Sequence, residues 1–376
     1  MNDGIKDGYR RARRGLVGVA LGATVTLAGV LGALADEYGE WSEGKKAYSG
    51  YEEHQYASSP AQVYYEDEVY TYATGEDGKS YYQVYDGEWS EPLLFDSAPV
   101  KFKWDPVAVA YDGYQYAVYA GEDDKYYYNA YDGSDWSGWE DISGDYEFVA
   151  APYANEYGDY VYVYGAASDG YLYYKTYDGS AWSEWAPVNE EYEAGAYEPY
   201  AVDWDGYNNV FWTGDDGYVY WNRYSGETEE WTGEKQLPYA EDEYVYKSAP
   251  YAIGYSVDEK LYAYAYTEDG KPHWNTFDSD GWSGWKAYES EYGWTAKYQP
   301  YAYEYNDTQY IYTTAEDGHA YYTTYDGETW GEWYDLGDNY AYDVSSYEYE
   351  DSYYLTYTGE NGSLYYKEYA AEDDGY

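Results

Sequence analysis

A tryptophan recurs seven times along the chain at nearly constant spacing, and this repeat is the strongest constraint on the fold. The seven positions are Trp41, Trp89, Trp136, Trp182, Trp231, Trp282 and Trp330. Consecutive copies are 46 to 51 residues apart. A fixed period of this size is typical of repeat architectures, and each unit has room for four short strands. We therefore predict an all-β chain that folds as a seven-bladed β-propeller with four-stranded blades.

The two ends of the sequence hold complementary parts of one repeat. The first copy contains only the tail of a unit, residues 38–43, whereas the last copy runs through residues 364–369 and lacks a tryptophan. A blade that lacks its outer strand exposes an unpaired edge, which favours aggregation. We therefore expect the N-terminal strand to complete the last blade and to close the ring, so that residues 36–376 form a single domain.

Within each repeat, alternating aromatic and β-branched residues predict strands, and Asp-Gly pairs predict the tight turns between them. In one repeat, Asp169-Gly170 separates the predicted strands 159–165 and 171–177. Calcium loops bring several carboxylates together in one short segment, whereas each turn here carries one aspartate. We expect these turns to be structural and predict no metal site and no cofactor. Weak calcium binding to the charged surface remains an alternative.

The N-terminus has the pattern of a signal peptide, which we assign to residues 1–35. A basic region that ends in Arg13-Arg14 precedes an uncharged, largely apolar run, residues 16–35. The run ends in Ala33-Leu34-Ala35, the small-x-small pattern of a cleavage site, and the arginine pair resembles a loose twin-arginine signal. These features predict a secreted protein. The alternative is an anchor at the cell surface, because about 20 apolar residues can span a bilayer.

The chain is strongly acidic, with 74 acidic and 20 basic residues and a formal net charge of −54. Such a surface repels nucleic acids and anionic membranes, so we predict neither as a partner. It suits salt-rich surroundings, which predicts a halophilic habitat. A homo-oligomer is compatible with the sequence.

The chain contains 68 tyrosines and only five phenylalanines. The tyrosines occupy alternating strand positions, where aliphatic residues usually fill the space between blades. We expect them to replace the aliphatic core, because a tyrosine can bury its ring and still hydrogen-bond its hydroxyl. The alternative is an exposed aromatic surface for recognition.

Four copies of the repeat extend the tryptophan into Trp-x-x-Trp, as in Trp136-Ser137-Gly138-Trp139. The others are Trp182-Ser183-Glu184-Trp185, Trp282-Ser283-Gly284-Trp285 and Trp330-Gly331-Glu332-Trp333. Over residues 38–376 this phrase resembles the repeats of seven-bladed propeller lectins of the PLL-like group. The resemblance implies a secreted sugar-binding protein with equivalent pockets between neighbouring blades. Three copies, at Trp41, Trp89 and Trp231, lack the second tryptophan.

The spacing of the two tryptophans suggests where sugars would bind. Residues three apart on a strand point to opposite faces. If the first tryptophans pack between blades, the second set faces away and is available to stack on sugars, with nearby aspartates accepting hydroxyl groups. The predicted ligand-binding residues are Trp139, Trp185, Trp285 and Trp333, with Asp132, Asp178 and Asp326. The alternative is that both sets of tryptophans belong to the core.

Enzymatic functions find little support in the sequence, and we predict no catalytic residues. Beyond residue 35, Arg223 is the sole arginine, whereas a sialidase binds its anionic sugar through several arginines. His54, His273 and His319 lie in unrelated contexts and form no catalytic triad motif. We therefore predict a non-enzymatic, secreted, carbohydrate-binding propeller. The alternatives are a self-associating surface or filament protein and a polysaccharide-cleaving enzyme that uses a pair of carboxylates.

Overall fold

The computed structural model describes most of the chain downstream of residue 39 and consists of β-strands. The described residues are 40–50, 54–95, 98–191, 194–195, 197–239, 244–288, 293–337, 339–350 and 352–370. The predicted signal peptide, residues 1–35, lies outside them. Residues 40–370 form one compact unit. In these ranges no helix is long and apolar enough to cross a membrane.

In the described residues, 31 strands build seven antiparallel sheets, which confirms the predicted seven-bladed β-propeller. The first two strands, which belong to the last sheet, are β1 (Glu40–Trp41) and β2 (Lys45–Lys46). Blade 1 contains β3 (Ala61–Tyr65), β4 (Glu68–Thr74), β5 (Ser80–Tyr85) and β6 (Leu93–Leu94). Blade 2 contains β7 (Phe102–Tyr111), β8 (Tyr114–Gly121), β9 (Tyr126–Tyr131) and β10 (Glu140–Asp141). Blade 3 contains β11 (Tyr153–Tyr157), β12 (Tyr160–Ala166), β13 (Leu172–Tyr177) and β14 (Ala186–Pro187).

The remaining four blades follow the same order from the first strand outwards. Blade 4 contains β15 (Tyr200–Trp204), β16 (Tyr207–Thr213), β17 (Val219–Ser225), β18 (Glu230–Trp231) and β19 (Lys235–Gln236). Blade 5 contains β20 (Tyr251–Tyr255), β21 (Lys260–Tyr266), β22 (Pro272–Asp278), β23 (Gly281–Trp282) and β24 (Lys286–Ala287). Blade 6 contains β25 (Tyr301–Tyr305), β26 (Thr308–Thr314), β27 (Ala320–Tyr325) and β28 (Tyr334–Asp335). Blade 7 contains β29 (Tyr340–Tyr349), β30 (Ser352–Gly359) and β31 (Leu364–Ala370), together with β1 and β2.

Both ends of the described chain share the sheet of blade 7. β1 pairs with β31 so that Trp41 lies opposite Tyr369, and β2 pairs with the same strand. Blade 7 in turn contacts blade 1, because Gln62 Nε2 donates to Thr356 Oγ1 at 2.7 Å and Thr358 Oγ1 donates to the Ser58 carbonyl at 2.9 Å. The expected ring closure depends on these contacts.

The seven repeated tryptophans lie at the boundaries between blades. Each indole packs against an aromatic ring of the preceding blade, with ring centroids 5.1 to 6.2 Å apart. The pairs are Trp41–Tyr312, Trp89–Tyr366, Trp136–Tyr82, Trp182–Tyr128, Trp231–Tyr174, Trp282–Trp221 and Trp330–Trp274. The sequence period therefore marks the contact that each blade makes with its neighbour.

Tyrosines fill much of the core and also connect the blades through their hydroxyl groups. At the end of the first strand, Tyr65 donates to the Gly113 carbonyl of the next blade at 2.8 Å, and Tyr157 donates to the Gly206 carbonyl at 2.7 Å. In this way a buried ring replaces aliphatic volume while its polar atom keeps a partner.

Candidate functional site

Where the fourth strand is interrupted, the serine of the repeated Trp-Ser phrase replaces a missing backbone hydrogen-bond acceptor for the third strand. The Thr176 amide donates to Ser183 Oγ at 3.0 Å, and the Ser183 amide donates back to the Thr176 carbonyl at 2.8 Å. The same hydroxyl acceptor recurs at Ser42, Ser90, Ser137 and Ser283. The serine of the phrase is thus explained by the fold of the blade.

The four predicted sugar-stacking tryptophans lie against the aromatic core, with different exposed fractions. Trp285 is 1% exposed and its ring lies 4.8 Å from that of Tyr246. Trp185 is 8% exposed and its indole N–H donates to the Ile142 carbonyl at 2.7 Å. These two rings have no free face for a sugar in this conformation.

Trp139 and Trp333 keep part of their surface accessible to solvent. The Trp139 ring lies 4.7 Å from the ring of Phe102, and the Trp333 ring lies 4.9 Å from that of Trp294. Each ring is therefore partly covered by a neighbouring aromatic ring. Sugar stacking at these two positions stays a prediction.

The predicted aspartates organise the turn before the fourth strand. Asp132 accepts the amides of Ser134 and Asp135 at 2.9 and 2.8 Å. Asp178 and Asp326 accept the amides two and three residues ahead in the same way, at 2.7 to 2.8 Å. One carboxylate oxygen of each residue is therefore engaged within its own loop.

The pKa values of these aspartates reflect the same hydrogen bonds. The Asp135 amide, followed by the Ser134 amide and hydroxyl, lowers the pKa of Asp132. The Ala181 amide and the Ser180 hydroxyl do the same for the pKa of Asp178. Partial burial acts in the opposite direction on Asp326, but the Thr329 and Glu328 amides outweigh it and its pKa is lowered. All three groups are anionic at neutral pH.

The Asp-Gly turns between the second and third strands use their aspartates structurally. Gly170 adopts a φ of 88°, as the predicted tight turn requires. Asp169 accepts the Tyr171 amide at 3.1 Å with one oxygen and the Tyr173 hydroxyl at 2.8 Å with the other. The tyrosine–aspartate bond recurs as Tyr81–Asp77, Tyr127–Asp123, Tyr220–Asp216 and Tyr321–Asp317. In the described ranges, no group of three metal-ligating side chains is placed to hold an ion.

The groove between blades 3 and 4 is a cavity of about 620 Å³. Tyrosine rings form much of its wall, and Tyr160 is 42% exposed. The Glu184 and Glu229 carboxylates and the Thr176 hydroxyl also line it. The groove therefore combines aromatic surface with hydrogen-bond acceptors, the two elements that sugar recognition needs.

The next groove, between blades 4 and 5, has a different chemical character. It encloses about 610 Å³ and is lined by Trp204, Phe277 and Arg223, with the acidic Asp205, Glu259 and Asp278. The Arg223 guanidinium carbon lies 4.2 Å from the centre of the Tyr207 ring. Sequence reasoning noted Arg223 as an isolated arginine but did not connect it with a groove.

The centre of the molecule holds a second polar region, which sequence analysis missed. Two cavities of about 250 and 410 Å³ lie where the first strands of all seven blades begin. Their shared residues include Asp105, Glu198 and Asp343 from blades 2, 4 and 7. The signal was present in the sequence, because an acidic residue followed by proline occurs at the same place in two repeats, as Asp105-Pro106 and Glu198-Pro199.

Burial and mutual repulsion change the acidity of these central carboxylates. Burial raises the pKa of Glu198 to about 8, and the nearby Asp105 carboxylate adds to the effect. Burial, Asp105 and Glu198 raise the pKa of Asp343 well above its usual range. Burial also raises the pKa of Asp105, although the Ser59 amide donates to its carboxylate at 2.8 Å. Burial, and for Glu198 and Asp343 also a neighbouring carboxylate, therefore favours the protonated form of these groups, which line the central channel formed by the two cavities.

The three histidines occupy separate structural settings. His273 is 1% exposed, its Nδ1 lies 3.2 Å from the Tyr246 hydroxyl, and burial lowers its pKa to about 4. His319 Nδ1 lies 3.0 Å from both carboxylate oxygens of Asp335 on the surface. The His54 ring packs on Tyr81. The three residues share no site.

Comparison with known proteins finds solved structures that share the propeller fold of this chain. No family model and no curated protein sequence matches the chain. The solved SapL1 lectin in complex with alpha methyl fucoside is 15% identical, covers 76% of this chain and 97% of its own, and has a TM-score of 0.50. The Aleuria aurantia lectin in complex with Fucalpha1-6GlcNAc is 13% identical, covers 74% of this chain and 96% of its own, and has a TM-score of 0.53.

A polysaccharide-cleaving enzyme has the same fold. A PL25 ulvan lyase is 12% identical, covers 83% of this chain and 93% of its own, and has a TM-score of 0.60. At these identities the comparisons establish a shared propeller fold. They associate that fold with both carbohydrate binding and polysaccharide cleavage.

Proposed function

We propose that this chain is a carbohydrate-binding propeller that holds glycans in the grooves between its blades without cleaving them. The observation that carries the proposal is the pair of grooves beside blade 4, where aromatic rings and carboxylates line the same cavities. Aromatic faces attract the C–H surface of a sugar ring, and carboxylates accept its hydroxyl groups. The fold that the chain shares with fucoside-bound lectins supports the same function.

We expect the main aromatic contacts with a glycan to come from exposed tyrosines such as Tyr160, and not from the second tryptophans of the repeat. The exposed face of Tyr160 offers ring surface that Trp185 and Trp285, at 8% and 1% exposed, do not. Trp139 and Trp333 remain proposed contacts in their own grooves. Asp132, Asp178 and Asp326 remain proposed acceptors through the oxygen that their loops leave less engaged.

The proposed setting of the protein follows from its sequence. A basic region and an apolar run in residues 1–35 favour secretion, and the net charge of −54 favours salt-rich surroundings. Glycans on an outer surface are accessible to such a protein. Several grooves on one ring would raise its avidity for dense glycans.

Binding of the purified chain to a glycan array tests the proposal. The array is probed at low and high salt, with and without calcium, because screening of the surface charge changes long-range repulsion. We expect salt-tolerant binding to a defined class of glycans. Absence of binding under every condition would refute the proposal and favour the self-associating surface protein.

Cleavage is tested on the same glycans. A glycosidase releases new reducing ends, and a lyase also leaves an unsaturated uronic acid that absorbs ultraviolet light. We expect neither product after prolonged incubation. New reducing ends without the unsaturated product would show hydrolysis, the unsaturated product would show lyase chemistry, and either result would refute a non-enzymatic propeller.

A further inference from the structure

The groove between blades 4 and 5 contains a cation, the Arg223 guanidinium, on the third strand of blade 4. Arg223 lies on the third strand of blade 4, opposite Asn209 on the second strand. The six equivalent third-strand residues carry no positive charge: Val84, Ala130, Thr176, Thr276, Thr324 and Glu368. At this strand position, blade 4 is therefore the one blade that carries a cation.

The residue opposite the arginine differs as well. All six other blades have a tyrosine there: Tyr70, Tyr116, Tyr162, Tyr262, Tyr310 and Tyr354. Directly opposed residues on paired strands lie side by side on one face, so a tyrosine at 209 would compete with Arg223 for space. Asn209 is shorter, and its carboxamide oxygen accepts the Trp221 indole N–H at 3.1 Å. Blade 4 thus accommodates the arginine through a paired change.

Aromatic rings, and not carboxylates, hold the guanidinium. Its carbon lies 4.2, 5.2 and 5.4 Å from the ring centres of Tyr207, Trp221 and Phe277. Among the described residues its buried Nε has no hydrogen-bond acceptor. Rings stabilise the cation through their faces and leave the donors at its edge unused.

Three carboxylates, Asp205, Glu259 and Asp278, line the same cavity. A ligand there meets hydrogen-bond donors and acceptors together. The three carboxylates and the net charge of −54 disfavour an anionic ligand. A neutral molecule with adjacent hydroxyl groups can bind both the guanidinium donors and the carboxylate acceptors, because each hydroxyl can donate and accept a hydrogen bond.

We propose that the cavity around Arg223 is the dominant glycan subsite of this chain and binds one uncharged sugar through adjacent hydroxyl groups. This inference rests on the proposed carbohydrate-binding function. It departs from a ring of equivalent pockets, since one groove carries the guanidinium and the others bind more weakly or not at all. It also assigns the selectivity: neutral sugars bind, and uronic acids or sulfated sugars do not.

Calorimetry with the best neutral glycan from the array tests the site. We expect one tight site per chain. Arg223→Met keeps the side-chain stem on the rings but removes every donor, and should weaken binding about tenfold or more. Arg223→Lys keeps the positive charge but lacks the planar guanidinium, so its affinity should lie between those of the unmodified chain and Arg223→Met.

Val84→Met, at the equivalent position of blade 1, is the matched control and should bind like the unmodified chain. Thermal unfolding of each variant separates loss of the site from loss of the fold. Full affinity in a folded Arg223→Met variant, several equal sites per chain, or equal binding of a uronic acid would overturn this inference while glycan binding stands. Failure of the unmodified chain to bind any glycan would instead overturn the proposed function.

Discussion

At the scale of the residue, the chemistry of each blade boundary depends on matched side chains. Tyr72 donates to Gln115 at 2.5 Å, Tyr264 donates to Gln309 at 2.6 Å, and both pairs join neighbouring second strands. At the boundary between blades 2 and 3, the equivalent positions are Val118 and Val161, which share one apolar cluster. At these three boundaries, a buried tyrosine hydroxyl thus occurs where the next blade offers a polar partner.

The pair Tyr264–Gln309 gives a direct test of this matching. Gln309→Leu leaves the Tyr264 hydroxyl buried without its acceptor, so we expect the free energy of unfolding to fall by about 1–3 kcal/mol. The double variant Tyr264→Phe/Gln309→Leu makes the boundary apolar and should recover most of that loss. Denaturant unfolding measures both. Equal losses in the single and double variants would contradict the matching.

At the scale of the element, the fourth strand explains where sequence reasoning was right and where it was not. The Asp-Gly turns and the alternating tyrosines predicted the second and third strands of blade 3 to within one residue. The spacing argument placed both tryptophans of the repeated phrase on one strand, but in blade 3 that strand is interrupted. Trp182 bridges to Tyr177, and the strand proper is Ala186–Pro187. Opposite faces for residues three apart hold in a continuous strand, which this one is not.

The serine at this interruption should make a measurable contribution to the free energy of unfolding, and the contribution should be similar in different blades. Ser183→Ala removes the acceptor of the Thr176 amide, and Ser90→Ala removes that of the Val84 amide. We expect each to lower the free energy of unfolding by about 1 kcal/mol. Blades 1 and 3 are not neighbours, so the double variant should show the sum. A double variant that departs clearly from additivity would mean that the blades are coupled.

The grooves themselves could not be inferred from the sequence alone. Arg223 was visible as an isolated arginine, but its cavity forms from residues of two blades, including Glu259 and Phe277. The central carboxylates come from blades 2, 4 and 7 in the same way. Such sites form between blades, so their residues come together only through packing. The sequence repeat predicts the strands within one blade and does not predict which residues of two blades meet.

At the scale of the whole molecule, the ring has two special regions, the sheet shared by the chain ends and the central channel. Trp41 lies 5.3 Å from the rings of both Tyr353 and Tyr369, so the N-terminal strand packs as internal fourth strands do. In the channel, carboxylates from separate blades face one another. The first region stabilises the ring, and the second acts against it at high pH.

Removal of the first boundary tryptophan tests the contribution of the N-terminal strand. Trp41→Ala should lower the free energy of unfolding by about 3 kcal/mol, because the indole packs against three tyrosine rings. Trp182→Ala, at an internal boundary, is the matched variant and should cost a similar amount. A much smaller effect at Trp41 in denaturant unfolding would show that the N-terminal strand is held loosely.

The central channel predicts a pH dependence of stability. The pKa of Glu198 is raised from 4.5 in an unfolded chain to about 8 in the folded protein, so folding favours its protonated form. Its contribution to stability is therefore complete below pH 4.5 and is lost progressively as the pH rises to about 8. Glu198→Gln keeps the shape and removes the charge. It should raise the unfolding temperature more at pH 8 than at pH 4.5, and an equal change at both values would contradict the prediction.

The pairing of Glu40 with Ala370 means that the chain could be circularly permuted. Adjacent antiparallel strands can be joined by a short loop, and every other blade joins its third and fourth strands in this way. A chain with these two positions linked could begin instead at an exposed turn of any other blade. The original chain and six circular permutants would then encode one molecule, and the order in which the blades are synthesised would differ among them.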